Sequence, residues 1–274
     1  TTSTYGSTPS VNAGTVTGFV NNETASSATT GTLLFSTTAT ATSNVGSYAI
    51  NGSGLTANNG NYTFVQAGGN ATALTINQKA LTITANARST TYGTALALGT
   101  SGYTESGLVN GDTITSVTLK QGGNTTVPAT QGAGTYSGVT NGILASAAQG
   151  TGLSNYSISY MPGTLTVNQK ALTITADADS KTYGSVKTYG SGSSAFTSNG
   201  LVNGETIGSV TITDTNSGGL ATAAAGGSYA LTPSLATGGT FSTSNYAITY
   251  ATGALTVNQK ALTITANARS TTYG

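Results

Sequence analysis

The feature that most constrains this chain is internal repetition. Asn77-Gln78-Lys79-Ala80-Leu81-Thr82-Ile83-Thr84-Ala85 recurs from Asn168 and again from Asn258, a period of about 90 residues. A Tyr-Gly pair follows each copy, at Tyr92-Gly93, Tyr183-Gly184 and Tyr273-Gly274, and Tyr5-Gly6 is the same mark near the start. Other marks keep the order. Gly18-Phe19-Val20-Asn21-Asn22 matches Gly107-Leu108-Val109-Asn110-Gly111 and Gly200-Leu201-Val202-Asn203-Gly204. Gly46-Ser47-Tyr48 matches Gly134-Thr135-Tyr136 and Gly227-Ser228-Tyr229, and Asn61-Tyr62, Asn155-Tyr156 and Asn245-Tyr246 open the last part of each unit. Such a period is too long for a solenoid coil of roughly 20–50 residues. It suits a small domain that buries its own core, so the chain reads as beads in series, stabilised by units and by their interfaces.

Alternation sets the element type. Leu81 and Ile83 alternate with Thr82 and Thr84, Tyr156, Ile158 and Tyr160 with Ser157 and Ser159, and Leu165 and Val167 flank Thr166. A period of two in Thr, Tyr, Ile and Val is the pattern of half-buried strands. No helical period is sustained; Gly-Leu-Val-Asn-Gly could form one helical turn at most. Met161-Pro162-Gly163-Thr164, and Ala251-Thr252-Gly253-Ala254 after it, read as turns of hairpins. Gln121-Gly122-Gly123-Asn124 and Asn216-Ser217-Gly218-Gly219 read as short hairpin turns as well. The buried face lies on odd positions at Leu165 and Val167 and on even ones at Leu172 and Ile174. The same slip separates Leu74 and Ile76 from Leu81 and Ile83, and Leu255 and Val257 from Leu262 and Ile264. A one-residue slip moves a side-chain set to the other face. The strand therefore breaks at Asn-Gln-Lys, where a stiff linker without Gly or Pro is expected.

The expected organisation is repeat 1 over 1–79, without its first strand; repeat 2 over 80–170; repeat 3 over 171–260; and 261–274 as the first strand of a further repeat. Neighbours should be rotated about a common long axis. At about 30 Å per unit the array should be a rod on the order of 100 Å long.

The order Ala-Leu-Thr-Ile-Thr-Ala, Tyr-Gly, Gly-Leu-Val-Asn-Gly-Asp/Glu, Gly-Thr/Ser-Tyr, Asn-Tyr-x-Ile, Leu-Thr-Val-Asn-Gln-Lys resembles the MBG domain of the YGX type across essentially the whole chain. The first repeat departs, with Phe19 for Leu and Asn22 for Gly, which bears on its turn geometry. The resemblance implies tandem domains of large bacterial adhesins similar to filamentous haemagglutinin, exported by a partner transporter or as autotransporters. It points to an all-β array of small domains, sandwich or β-grasp-like.

Composition narrows the chemistry. Charged residues are 5% and the net charge is +1, against roughly 25% charged in ordinary domains. That leaves no basic face to neutralise phosphates, so no nucleic-acid partner is expected. The near-neutral surface favours association of like with like. The hydrophobic fraction of 36%, held in strand phase, argues against disorder. Histidine and cysteine are absent, which removes the usual general base, thiol nucleophile and transition-metal ligands. No apolar run approaches a membrane span. No signal peptide is visible at Thr1, so the chain reads as a segment of something longer.

The acids fall into two groups, those that recur once per unit and those that do not. Asp177 and Asp179 could pair on calcium, but the matching positions are Asn86 and Arg88, and Asn267 and Arg269; solvated surface is the expectation. Glu23, Asp112 and Glu205 recur once per unit without a partner acid, so glycosidase chemistry is disfavoured, and capping of turn N–H groups is expected. Lys79, Lys170 and Lys260 read as exposed guards against edge pairing rather than isopeptide donors. The tyrosines, 14 in all, are expected to pack in the core with hydroxyls at the rim, although exposed ones could stack on sugars.

The chain is therefore expected to be non-enzymatic, with no catalytic, cofactor or metal residues and no cofactor. Its expected role is a stalk or fibre segment of a secreted or surface bacterial adhesin, acting in cell adhesion or a biofilm matrix. Its expected partners are neighbouring repeats and a head-to-tail copy. The alternative is a glycan- or receptor-binding module, with no ligand-binding residue assignable. The tail Ala261–Gly274 matches the strand missing before repeat 1. Two explanations stand: a window cut from a continuous array, or donation of that strand to the next molecule.

Overall fold

The structure, a computed structural model, describes all 274 residues. It is all-β, as the alternation requires. Helix is confined to single turns at Ala25–Ala28 and Gly138–Asn141 and to three 3-10 turns. The chain divides into two compact units. One comprises Thr1–Arg88, Ala97–Thr126 and Tyr136–Leu165; the other comprises Ser89–Leu96, Val127–Thr135 and Thr166–Gly274.

The Lys-Ala-Leu-Thr-Ile-Thr-Ala strand organises one sheet in each unit. In the first, Lys79–Ala85 lies between Tyr156–Met161, parallel from Lys79↔Tyr156 to Thr84↔Met161, and Tyr103–Ser106, antiparallel. In the second, Lys170–Ala176 lies between Tyr246–Ala251, parallel from Lys170↔Tyr246 to Thr175↔Ala251, and Phe196–Asn199, antiparallel. The register is the same because the sequence is the same. Leu81, Ile83 and Ala85, and Leu172, Ile174 and Ala176, are buried. The intervening threonines are half-buried or exposed, so the period of two becomes one face in the core.

A second type of sheet is built on the strand before Asn-Gln-Lys. In the first unit Leu74–Asn77 pairs parallel with Thr2–Thr4 and antiparallel with Gly46–Tyr48. In the second, Gly253–Asn258 pairs parallel with Asp179–Thr182 and antiparallel with Tyr229–Gly239, which in turn pairs with Ile207–Asp214. Leu74–Asn77 and Lys79–Ala85 thus lie in different sheets, as do Leu165–Asn168 and Lys170–Ala176. The phase slip is where the chain changes sheets, and both faces it presents are buried.

Two hairpin expectations need correction. Tyr156–Met161 and Leu165–Asn168 do not pair with one another; they join different sheets. Gly163 lacks the positive φ of a type II turn. It exchanges two 2.8 Å hydrogen bonds with Ile143, and a Cβ there would lie 2.4 Å from the Ala85 carbonyl oxygen. Glycine is required for close approach, not for the turn. Tyr246–Ala251 and Gly253–Asn258 part in the same way. Gln121–Asn124 does close tightly, with reciprocal hydrogen bonds and both glycines at positive φ. Asn216–Gly219 instead lies in a longer excursion, where Asp214 accepts from the N–H groups of Gly218 and Gly219 at 3.0 and 2.6 Å. Lys79 and Lys170 open the central strands of their sheets and are half-buried, so they guard no edge.

Gly107 and Gly200 have φ of 119° and 117°, and a Cβ on either would meet the carbonyl oxygen of Ala80 or Ala171 at 2.4 Å. Gly18, in the same place in the first repeat, has φ 98° with nothing within 4 Å. Gly107→Ala is expected to cost about 2–3 kcal/mol and Gly18→Ala about 1 kcal/mol, by urea denaturation. Equal losses would contradict the close approach.

Candidate functional site

Three sequence marks converge once in each unit. The first is the turn of the Gly-Leu-Val-Asn-Gly motif. Asn110 and Gly111 have φ of 57° and 77°, and the Asp112 N–H donates to the Val109 carbonyl at 3.0 Å. Asn203 and Gly204 repeat this before Glu205, and Asn21 and Asn22 before Glu23. Two successive positive φ values define a type I′ turn, which Asn and Gly adopt most readily. Asn22 therefore preserves the geometry that glycine has in the other copies.

The turn aims its carboxylate at the tyrosine of the Asn-Tyr mark. Tyr156 donates to Asp112 Oδ2 at 2.8 Å while its oxygen accepts from the Val109 N–H at 3.0 Å. Tyr246 donates to Glu205 Oε2 and accepts from the Val202 N–H at 3.2 Å. In the first repeat Tyr62 makes the same pair of bonds, to Glu23 and from Val20.

The third mark is a Tyr-Gly pair from the preceding repeat. Tyr5 donates to Asp112 Oδ2 at 2.9 Å, and Tyr92 to Glu205 Oε1 at 2.7 Å. The Tyr5–Tyr156 and Tyr92–Tyr246 rings meet edge to face, each pair with centroids 5.5 Å apart and planes at 82°. This is the favoured arrangement of aromatic quadrupoles. Gly6 and Gly93 follow because a Cβ would lie 2.6 Å from a methyl of Val109 or Val202.

Asparagines lock the periphery. Asn110 and Asn203 donate to the carbonyls of Ala41 and Ala129, which also accept from the Gly6 and Gly93 N–H groups. Asn155 and Asn245 accept from the N–H groups of Val45 and Ala133 at 2.9 and 2.8 Å. Each arrangement is a joint between successive repeats, made twice with the same parts.

Burial pushes the Tyr156 phenol up to about 12, with the Asp112 carboxylate adding to it; burial and then Glu205 push Tyr246 up to about 12. Tyr92 is raised for the same reasons. These hydroxyls stay protonated at neutral pH and act as donors, not bases. The recurring acids do not cap turn N–H groups, as the sequence suggested: their partners are phenols. The signal was present, since Tyr-Gly, the acid and Asn-Tyr each occur once per repeat, but their meeting was not read from it.

Two features are confined to the third repeat. Asp179 is not free surface. It pairs with Lys187 and accepts from Tyr189 at 3.0 Å. Burial opposes its charge, but Lys187, the Ser180 N–H and Tyr189 outweigh it and hold the carboxyl below its ordinary value. Lys181, unremarked in the sequence, is buried and donates to the carbonyls of Ser185 and Leu220. No three acids converge, and no helix is long and apolar enough to cross a membrane.

Fold and site together define a tandem-repeat protein of small β-domains coupled through a tyrosine–carboxylate joint. A family model of the MBG domain (YGX type) matches residues 1–72, 81–166 and 172–256. The chain belongs to that family, whose members are repeat modules of the surface-associated, adhesin-like kind. No curated protein and no solved structure matches it.

Proposed function

We propose that the chain is a structural stalk or fibre segment of a secreted or surface bacterial adhesin, giving extension and self-association in cell adhesion or a biofilm matrix. It works without catalysis, cofactor or metal. The observation that carries this reading is the joint: the same tyrosines, acid and Asn-Gly turn fasten the first repeat to the second and the second to the third. Tyr5, Asp112 and Tyr156, and then Tyr92, Glu205 and Tyr246, make identical ring geometry at both joints. A repeated joint supports a load-transmitting array, in which stability is shared between units and interfaces.

Pulling single chains by their ends tests it. Repeats of about 90 residues are expected to give successive unfolding steps of about 300 Å each. Featureless extension at low force, together with saturable binding on a glycan array, would replace this reading with that of a glycan-binding module.

A further inference from the structure

Repeat 3 departs from repeat 2 at one place, and there it gathers charge in a chain that has little. The segment Lys187–Gly190, the end of strand Ile207–Asp214 and the turn at Ser217–Leu220 bound a groove of about 440 Å³. Lys187 and Asp214 line it, while Asp179 and Lys181 hold its walls from behind. Repeat 2 has Arg88, Thr90, Leu96, Leu98 and Gln121 in the places of Asp179, Lys181, Lys187, Tyr189 and Asp214. There Leu98 and Gln121 are buried, and Leu96–Ala97 pairs with Thr126–Val127. Repeat 2 thus closes the same place with its own side chains. Its joint with the following repeat falls elsewhere, on Tyr92, Gly93, Ala129 and Ala133. The groove is therefore a property of the residues of repeat 3 itself.

Its polar groups are fixed and only partly used. Asp214 accepts from the Gly218 N–H on Oδ1 at 3.0 Å and from the Gly219 N–H on Oδ2 at 2.6 Å, which leaves each oxygen a free lone pair. Lys187 pairs with Asp179 and keeps further N–H donors. Tyr189 donates to Asp179 at 3.0 Å. Burial and then the Asp179 carboxylate raise its phenol, so it stays protonated and its oxygen is an acceptor. Thr211 and Thr213 alternate with the buried Val210 and Ile212 and line the groove. Behind the rim, Lys181 is 5% exposed and donates to the carbonyls of Ser185 and Leu220. That pins the turn at Leu220, and a pinned wall loses less entropy when a ligand binds.

We infer that this groove binds a neutral saccharide. The two acids and two lysines around it cancel, so no ionic ligand is favoured. A carboxylate, an ammonium, a phenol and two threonine hydroxyls on one open face match the adjacent hydroxyls of a pyranose, and charged partners make the stronger hydrogen bonds. The half-buried Tyr189 ring offers an apolar surface to the C–H face of the sugar. The size lies within the roughly 300–1,000 Å³ of ligand sites. This goes beyond the stalk reading and does not depend on it: a stalk that holds sugar at one repeat still transmits load through its joints.

Maltohexaose, cellohexaose, chitohexaose and mannohexaose, titrated into the whole chain by saturation-transfer NMR, are the probes. An oligogalacturonate is the acidic comparison. At least one neutral probe should bind, with a dissociation constant on the order of 1 mM or below. Tyr189→Leu, which installs the residue of repeat 2, should weaken binding about tenfold or more. Thr213→Lys installs the Lys120 of repeat 2 at an exposed position, so it should obstruct the groove to a similar degree without disturbing the core. The inference is overturned if no neutral probe binds, if the acidic oligomer binds more tightly, or if the folded Thr213→Lys chain binds as the parent does. None of these results alters the stepwise unfolding of single chains, so the stalk reading stands or falls separately.

Discussion

Glu205→Ala is expected to lower the stability of the second unit by about 3–5 kcal/mol, because two phenols lose one charged acceptor. Tyr92 reaches Oε1 and Tyr246 reaches Oε2, and both rings are buried. Hydrogen bonds to charged groups contribute about 1.5–3 kcal/mol each, and the orphaned hydroxyls stay buried. The amide variants separate the two joints. Glu205 spends one oxygen on each tyrosine, so Glu205→Gln turns an N–H toward one of them and should retain about half the stabilisation. Asp112 receives both tyrosines on Oδ2. Asp112→Asn can keep an oxygen there, so it should cost only about 1–2 kcal/mol. Urea denaturation followed by tyrosine near-UV dichroism measures both. Equal losses for Asp112→Asn and Glu205→Gln would show that the carboxylates are not shared in this way.

Stability should also fall steeply between pH 10 and 12. Tyr156 and Tyr246 are raised from 10.0 to about 12, first by burial, with the nearby carboxylates adding to it. Above pH 10 the unfolded chain releases these phenolic protons while the folded chain keeps them, so the proton count is lower in the unfolded state and stability decreases with pH. The contribution is whole below pH 10 and lost by about pH 12. Each tyrosine accounts for about 2–3 kcal/mol. Tyr156→Phe should make the slope shallower without abolishing it, because Tyr246, Tyr189, Tyr92 and Tyr103 are raised as well. A flat profile from pH 9 to 12 in the parent chain would show that these phenols ionise freely while folded.

Much of the architecture was legible because it depends on neighbours in sequence. Strand type follows from the alternation of Leu81, Thr82, Ile83 and Thr84, which the pleat turns into a buried and an open face. The change of sheet at Asn-Gln-Lys follows from the phase slip, since one strand cannot place Leu165 and Leu172 on the same face. A turn before each recurring acid is legible as well; its type I′ form and the phenol its acid reaches are not, because the second depends, for Glu205, on residues 41 and 113 positions away.

What the sequence by itself determined is the repeat, its strand content and the order of its marks, all consequences of local pattern. Only tertiary structure decided which marks meet. Tyr5 and Asp112 are 107 residues apart, and Tyr92 and Glu205 are 113 apart, so no local preference couples them. The same holds for the parallel pairing of Lys79–Ala85 with Tyr156–Met161, which replaced a hairpin that looked natural from Pro162 and Gly163. Parallel neighbours need a long crossover, and the joint needs a tyrosine delivered by the preceding repeat. Both are settled by which buried phenols and backbone groups can find acceptors once the sheets have packed.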